Sequence, residues 1–217
     1  MKLSVVIPGL NIEATIEKII NEINQSGYVT EIIVVDNNSI DNTFEVSKKC
    51  GAKVVKCKEQ GLGYAMKAGI LATTNDLVIK IDGDIINPKL EWIETLISFI
   101  GDNVVFVNGI YQSNYDEFPV GNLVAKPAIK LKLPELSYIK MPLSGTYMFK
   151  KDLFNYSKLP NNWAFDVAMA IEGHNISGKI SQVEIGELND KPKRIAEYSD
   201  MAFELLEYII NLDNING

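Results

Sequence analysis

The stretch Leu77-Val-Ile-Lys-Ile-Asp-Gly-Asp-Ile85 places an apolar run directly before two carboxylates, Asp82 and Asp84, which flank a glycine. An apolar run of this length predicts a buried strand. Open α/β sheets bind ligands beyond the carboxyl ends of their strands, which is where these two acids lie. Neighbouring acids repel each other unless a cation lies between them, and Mg²⁺ or Mn²⁺ prefers carboxylate and phosphate oxygens. An isolated Asp-Gly-Asp is more often a plain turn, so the surrounding sequence must decide between the two interpretations.

The surrounding sequence alternates strand and helix patterns. Apolar runs predict strands at 3–7, 31–36, 53–57 and 76–81, and helical patterns predict helices at 11–25, 63–72 and 88–100, with a further helix that Ser39 or Asp41 caps and that ends near Cys50. This repetition predicts an α/β fold with a mostly parallel sheet and helices on both faces. The second half is less regular, with strands expected at 104–111, 148–150 and 179–185 and helices at 121–133, 163–174 and 196–212.

Composition narrows the class of protein. The chain has 217 residues, 47% of them hydrophobic, and a net charge of −7, which predicts one domain and argues against nucleic-acid binding. We expect Cys50 and Cys57 to be free thiols, because they lack metal-type spacing. No signal peptide and no integral membrane segment are recognisable, so we expect a cytoplasmic protein.

The predicted strands end in polar residues at one edge of the sheet. The first ends at Pro8, the second at Asp36 and the fourth at Asp82, and such neighbouring termini predict a polar crevice. Asp36 is placed to accept hydrogen bonds from a base or ribose, although it could simply cap a turn. Asn11 and Glu13 could likewise only begin a helix.

A glycine-bearing turn, Gln60-Gly-Leu-Gly-Tyr-Ala-Met-Lys67, precedes the third predicted helix. Free N–H groups at a helix start favour phosphate oxygens, although a plain loop is the default for so short a motif. Together with the two acids about twenty residues downstream, the turn predicts a diphosphate site.

These motifs, in their order, resemble the nucleotide-sugar glycosyltransferases of family 2, which have the GT-A fold. They are Val5-Val-Ile-Pro8, Ile33-Val-Val-Asp-Asn-Asn-Ser-Ile-Asp-Asn-Thr43, Gly61-Leu-Gly63 and the DXD motif Asp82-Gly-Asp84. The resemblance implies a nucleotide-sugar site formed by Pro8, Leu10, Glu13, Asp36, Ser39, Gly61, Gly63, Asp82 and Gly83. It also implies that Asp84 is catalytic and, with Asp82, handles Mg²⁺ or Mn²⁺.

The second half is most similar to glucosyl-3-phosphoglycerate and mannosyl-3-phosphoglycerate synthases, through stretches such as Val107-Asn-Gly-Ile-Tyr111 and Met141-Pro-Leu-Ser-Gly-Thr-Tyr147. This similarity implies that Lys126, Gly145 and Thr146 bind a small phosphorylated acceptor and that Asp166 is an acid near the transferred sugar. The family's histidine metal ligand falls near Asp190, which becomes a candidate third ligand. Residues 1–100 would then bind the donor and residues 101–217 the acceptor, within one domain.

A cluster of lysines between 121 and 151 independently favours an anionic acceptor in this acidic chain. Lys126 and Lys140 are the best candidates, because both have apolar or proline-flanked neighbours. Trp163 is expected in the core rather than as a sugar platform.

We therefore hypothesise a metal-dependent transfer of a hexose from a nucleoside diphosphate sugar to a small phosphorylated acceptor, with retention. The alternatives are a polyprenyl-phosphate sugar synthase, a nucleotidyltransferase and a non-catalytic sugar-nucleotide-binding protein. The nucleotidyltransferase is disfavoured because Gly9-Leu-Asn-Ile12 lacks a long glycine- and lysine-rich signature after the first strand. The apolar stripe of the last helix forms either core or the interface of a homodimer.

Overall fold

The computed structural model describes residues 1–101, 103–112, 118–188 and 195–212. In these segments the chain forms a seven-stranded sheet with helices on both faces. The strands are β1 (Leu3–Gly9), β2 (Val29–Asp36), β3 (Lys53–Lys56), β4 (Leu77–Ile81), β5 (Phe106–Gln112), β6 (Thr146–Lys150) and β7 (Ser181–Glu187). The helices are α1 (Glu13–Ile23), α2 (Thr43–Lys49), α3 (Leu62–Leu71), α4 (Leu90–Phe99), α5 (Lys126–Lys132), α6 (Phe165–Ser177) and α7 (Ser199–Ile210).

The strand order is β3-β2-β1-β4-β6-β5-β7. β6 runs antiparallel to both of its neighbours, and every other pair of adjacent strands is parallel. The prediction of a mostly parallel α/β sheet flanked by helices is confirmed.

The sheet is buried because helices cover both of its faces. On β1, Val5 and Ile7 contribute to the cluster on one face and Val6 to the cluster on the other, as the alternation of a strand requires. α1 and α4 cover the first face, and α1 does so through isoleucines at helical spacing (Ile16, Ile19, Ile20 and Ile23). α3, α5, α6 and α7 cover the second face.

Two local predictions differ from the structure. Ser39 does not cap α2, because its hydroxyl accepts a hydrogen bond from the Asn11 amide 3.0 Å away. Asp41 does stabilise the first turn of α2, since its carboxylate accepts a hydrogen bond from the Thr43 amide at 3.0 Å. Helix 121–133 is also not uniform: a π-helical turn over Gly121–Ala125 leads into α5, which begins at Lys126 and has a proline in its first turn.

Candidate active site

A cleft of about 820 Å³ lies at the carboxyl ends of β1, β2 and β4. Pro8, Leu10, Asn37 and the loop 82–85 form one wall. The other walls come from Gln60 to Leu62, from residues 118–121, 143–144 and 162–163, and from α7. The predicted crevice therefore exists, and the second half of the chain closes it.

Asn37 organises the glycine-bearing turn next to the cleft. Its buried side-chain carbonyl accepts a hydrogen bond from the Gly61 amide at 2.9 Å, and its side-chain amide donates to the carbonyl of Glu59 at 2.7 Å. Sequence reasoning emphasised Asp36 and passed over its neighbour. The available signal was a second polar residue directly after a buried strand.

The two glycines of this turn have a packing role. A Cβ at Gly61 would lie 2.5 Å from the carbonyl oxygen of Asn161. A Cβ at Gly63 would likewise overlap with the backbone of Pro160 and Asn161. The Tyr64 amide donates to the same Asn161 oxygen at 3.1 Å. The sequence predicted that the N–H groups of this turn bind phosphate. This prediction is corrected in part, because the Gly61 and Tyr64 N–H groups already donate hydrogen bonds to protein oxygens. Gly61 lies on the cleft wall and Gly63 does not.

Three predicted nucleotide-site residues, Glu13, Asp36 and Ser39, are not among those that line the cleft. Asp36 is buried and accepts from the Ser39 amide at 3.0 Å, and Glu13 accepts from the Asn42 amide at 2.6 Å. With the bond from Asn11 to Ser39, these contacts join the loop after β1 to the loop after β2. Glu13, Asp36 and Ser39 therefore shape the wall, whereas Pro8, Leu10 and Gly83 form part of its surface.

The two acids of the DXD motif have different environments. Asp84 is exposed on the cleft wall. Asp82 forms an ion pair with Lys80, whose Nζ lies 2.6 Å from its Oδ1. Desolvation and the neighbouring Asp84 carboxylate raise the pKa of Asp82 to about 6, against the lowering effect of Lys80.

Lys80 connects Asp82 to a buried acid that lies beneath the cleft. Its wholly buried Nζ is also 2.6 Å from Oδ2 of Asp166, and the Tyr147 hydroxyl donates to Oδ1 of Asp166 at 2.9 Å. Burial lowers the pKa of Lys80, but the Asp166 and Asp82 carboxylates outweigh it and raise this pKa above its usual value. Both oxygens of Asp166 have partners, and the residue is not among those that line the cleft, so its place near the transferred sugar stays a prediction. Lys80 and Tyr147 were missed by sequence reasoning, because a lone lysine in an apolar strand gives no indication of its partners.

Two predicted acceptor residues, Gly145 and Thr146, are buried, and their acceptor-binding role stays a prediction. Thr146 is fully buried in β6, where its hydroxyl pairs with that of Tyr111 at 2.5 Å. Gly145, at φ +73°, packs directly against the Asp82 carboxylate. Neither residue is among those that line the two cavities.

A second cavity of about 250 Å³ adjoins the cleft and contains both favoured lysines, Lys126 and Lys140. It shares Tyr111, Phe118, Gly121 and Leu143 with the cleft. Lys126 is held by a 2.6 Å hydrogen bond to Asn122, and desolvation lowers the pKa of its ammonium group. These two lysines were predicted from composition and context, and the fold brings them to one site.

Trp163 lines the cleft with 43% of its surface exposed, so its expected place in the core is wrong. Its amide donates to Glu204 of α7 at 2.9 Å, and Asp200, Met201 and Glu204 of the same helix form part of the cleft wall. The last helix thus contributes to the site as well as to the core.

The residues present fit a divalent cation that a substrate helps to hold. Within the described segments no cluster of three or more acid, histidine or cysteine side chains exists, and Asp190 lies outside those segments. Asp84 nevertheless offers a hard oxygen ligand in the cleft. Mg²⁺ is commonly held by one or two carboxylates together with substrate phosphates and water, so one exposed carboxylate is compatible with such an ion.

Comparison with known proteins identifies the family. The model of glycosyl transferase family 2 matches residues 4–163, which include the whole DXD loop and the wall of the cleft up to Trp163. The chain belongs to glycosyltransferase family 2. It is therefore a glycosyltransferase, and its sheet is the GT-A sheet that the motifs predicted.

Glucosyl-3-phosphoglycerate synthase of Mycobacterium tuberculosis (strain ATCC 25618 / H37Rv) is 28% identical over 96% of this chain and 72% of that enzyme. Its crystal structure with Mn²⁺, UDP-glucose and phosphoglyceric acid superposes with a TM-score of 0.87 at 30% identity, over 97% of this chain and 79% of the other. A further structure of the enzyme contains Mg²⁺ and UDP.

Dolichol-phosphate mannosyltransferase of Pyrococcus furiosus is 31% identical over 99% of this chain and 66% of that enzyme. In the described part of this chain, none of the helices has the length and hydrophobicity needed to cross a bilayer.

Proposed function

We propose that this family 2 glycosyltransferase moves a hexose from a nucleoside diphosphate sugar to a small phosphorylated acceptor such as 3-phosphoglycerate, with retention at the anomeric carbon. The observation that carries the proposal is the pair of adjoining cavities. One contains the exposed Asp84, and the other contains Lys126 and Lys140. The mycobacterial relative, crystallised with both kinds of substrate, supports the same division.

On the donor side, the protein supplies the Asp84 carboxylate and the cleft wall that bounds the nucleotide sugar. Asp84 would hold Mg²⁺ or Mn²⁺, which when bound stabilises the negative charge that develops on the departing diphosphate. Pro8, Leu10 and Gly83 bound the space for the nucleotide sugar. Residues 1–100 contribute most of this wall, and α7 and Trp163 close it from the other half.

On the acceptor side, two lysines create a local positive potential in an acidic protein. The net charge of −7 repels a free anion, so the cavity with Lys126 and Lys140 is the favourable place for a phosphate or carboxylate. Its volume of about 250 Å³ suits an acceptor of a few carbon atoms. Acceptor and donor would meet at the residues that line both cavities, which are Tyr111, Phe118, Gly121 and Leu143.

Retention is proposed from the resemblance to the glucosyl-3-phosphoglycerate synthases, and the pairing of Asp166 is consistent with it. Asp166, the candidate acid, has both oxygens engaged by Lys80 and Tyr147. An inverting enzyme needs a base that takes the acceptor proton, and an acid paired in this way is poorly suited to that role.

The decisive assay supplies the purified chain with UDP-glucose, GDP-mannose or GDP-glucose, with Mn²⁺, and with 3-phosphoglycerate. A water-soluble, charged glycoside with the donor's anomeric configuration by NMR is expected. A product of inverted configuration would contradict retention, and absence of transfer from all three donors to 3-phosphoglycerate would contradict the proposed substrates.

A second acceptor class is favoured by the dolichol-phosphate mannosyltransferase similarity. A polyprenyl phosphate presents the same anionic head group to Lys126 and Lys140. A parallel reaction with polyprenyl phosphate in detergent, extracted into butanol, distinguishes the two classes. Label in the organic phase alone would replace the small acceptor with a lipid.

A further inference from the structure

Lys67 on α3 fastens the segment 159–161 of the second half of the chain to the first half. Its Nζ donates to the backbone carbonyl of Leu159 and to the side-chain carbonyl of Asn161, both at 2.6 Å. The side chain is half-buried, and desolvation lowers the pKa of its ammonium group. Both acceptors are uncharged, so an apolar residue would cost less to bury here than an ammonium group does. Packing alone therefore does not explain a lysine at this position.

Backbone contacts bring the same segment close to the start of α3. The carbonyl oxygen of Asn161 accepts a hydrogen bond from the Tyr64 amide at 3.1 Å. A Cβ at either Gly61 or Gly63 would overlap with the backbone of this segment. The two glycines thus permit the close approach, and Lys67 supplies hydrogen bonds that hold it.

Trp163 follows directly from this fastened segment. Asn162 and Trp163 both line the cleft, and 43% of the surface of Trp163 is exposed there. On its other side, the Trp163 amide donates to Glu204 of α7 at 2.9 Å. Trp163 is therefore held between α3 and α7, and an aromatic ring exposed in a cleft offers a flat apolar surface to a ligand.

We propose that Lys67 is a positioning residue, which holds the segment 159–161 against α3 so that Trp163 faces the bound nucleoside diphosphate sugar. Lys67 is not among the residues that line either cavity, so it acts through Asn161 and its neighbours. The inference rests on the proposed function, since the ligand concerned is the donor of that reaction.

Tryptophan fluorescence tests this placement without any ligand. The chain has two tryptophans, and Trp92 is almost wholly buried, so acrylamide quenching reports mainly on Trp163. We expect Lys67→Met to raise the quenching constant and to shift the emission to longer wavelength, because the segment is released. Lys53→Met is the matched control, since Lys53 donates to the Ala72 carbonyl at the other end of α3 and should leave quenching unchanged. Unchanged quenching in a folded Lys67→Met variant would overturn the inference.

Donor binding tests the functional part of the inference. UDP-glucose, GDP-mannose and GDP-glucose are each titrated with Mn²⁺ into the native chain and the Lys67→Met variant by calorimetry. We expect Kd of the donor that binds to rise by about tenfold or more in the variant, because the ring of Trp163 is displaced. Under turnover, KM for this donor should rise by a similar factor. In contrast, kcat and KM for 3-phosphoglycerate should stay within about twofold, as a loss of uniform donor binding requires. A loss confined to kcat, or an unchanged Kd, would overturn the inference.

A double-mutant cycle tests whether Lys67 acts through Asn161. Asn161→Ala removes the side-chain acceptor but keeps the backbone hydrogen bond to Tyr64, so it should fold and should weaken donor binding by about threefold or more. Lys67→Met/Asn161→Ala should bind the donor no more weakly than Lys67→Met, because both substitutions break the same contact. Additive losses would overturn the inference.

The outcomes separate the inference from the proposed function. If Lys67→Met does not fold, quenching and donor Kd of Asn161→Ala decide, and native values for both overturn the inference. If the native chain binds none of the three donors, the proposed function fails and the inference fails with it. If the native chain binds a donor and Lys67→Met binds it equally well, the inference alone fails.

Discussion

Two acids separated by a single glycine differ in their contacts in this chain. Asp82 is paired with a buried ammonium group, whereas Asp84 is exposed in the cleft. Electrostatic stabilisation of a leaving group requires charge that faces the substrate, so Asp84 is the residue whose loss should affect chemistry most.

Asp84→Asn should therefore lower kcat by about 100-fold or more, since Lewis-acid stabilisation contributes several kcal/mol and each ~1.4 kcal/mol is a tenfold change in rate. Its urea midpoint should stay close to that of the native chain, because the residue is exposed. Asp76→Asn is the matched control, since this exposed acid precedes the same strand and should turn over normally. Normal turnover in Asp84→Asn would refute the role of the residue.

Gly145 shows how backbone conformation positions the DXD loop. It has a φ of +73°, and a Cβ at this position would overlap with Oδ2 of Asp82. Gly178 has nearly the same φ of +74° but open space around its Cβ position. A comparison of alanine variants at the two glycines therefore separates two contributions to the free energy of unfolding. One is the cost of a left-handed alanine, and the other is the cost of displacing Asp82.

Gly178→Ala should lower the free energy of unfolding by about 1–2 kcal/mol, which is the usual cost of a left-handed alanine. Gly145→Ala should lose about 1–3 kcal/mol more, because of the overlap. It should also weaken binding of Mn²⁺ with UDP, whereas Gly178→Ala should not. Urea denaturation and Mn²⁺ titration provide the readouts, and equal losses in the two variants would contradict the role of Gly145.

At the scale of elements, α5 presents one lysine to the second cavity and others to solvent. Lys126 lines that cavity and bonds Asn122, whereas Lys130, one turn further along, is exposed and lies outside it. The same short helix thus contains both a candidate ligand for the acceptor and its control.

Lys126→Ala should raise KM for 3-phosphoglycerate by about tenfold or more, because a hydrogen bond to a charged group contributes about 1.5–3 kcal/mol. Lys130→Ala should leave this KM within about twofold, as is usual for a solvated surface charge. Initial rates at saturating donor measure both values. A rise of the same size in both variants would indicate a general field effect rather than contact.

The helices and strands were predictable where the pattern that indicates them lies within the element itself. The isoleucine spacing of α1 and the apolar runs of β1, β2 and β4 gave these elements to within a few residues. The place of β6 between β4 and β5 was not predictable, because strand order depends on contacts between distant parts of the chain. For the same reason the inward orientation of Thr146 and the exposure of Trp163 could not be inferred from their own neighbourhoods.

The residues of the candidate site that follow directly from strand ends were predictable, and those that depend on distant contacts were not. Pro8, Leu10, Gly83 and Asp84 lie on the cleft wall because strand ends converge in any parallel sheet. The role of Lys80 was not predicted, because its ion pair with Asp166 joins β4 to α6. No pattern in the sequence around Lys80 indicates a contact between these two elements. The nucleotide-binding roles of Glu13, Asp36 and Ser39 stay predictions.

At the scale of the whole molecule, the cleft joins elements from both halves of the chain. Residues of the DXD loop, the segment 118–121 and α7 all line it. A ligand that contacts all of these should stabilise the fold as a unit, because binding to the folded state alone raises the free energy of unfolding by mass action.

UDP with Mn²⁺ at about 100 times Kd should add about 2.7 kcal/mol, or roughly 5–10 °C in Tm for a chain of this size. Excess EDTA should remove most of that shift, because the diphosphate then faces Asp84 without a cation between them. Differential scanning fluorimetry measures both values. A shift that is indifferent to EDTA would contradict a cation bridge.

The reversed direction of β6 has a consequence for how acceptor choice could diversify. Because β6 opposes β4, its first residue, Thr146, pairs with Ile81 at the very end of β4. The connection 137–144 therefore arrives at the edge of the cleft, where it contributes Lys140 and Leu143 to the second cavity. Under the proposed function, a change in the length or sequence of that connection would alter one wall of the space for the acceptor while the donor wall stays anchored in the sheet.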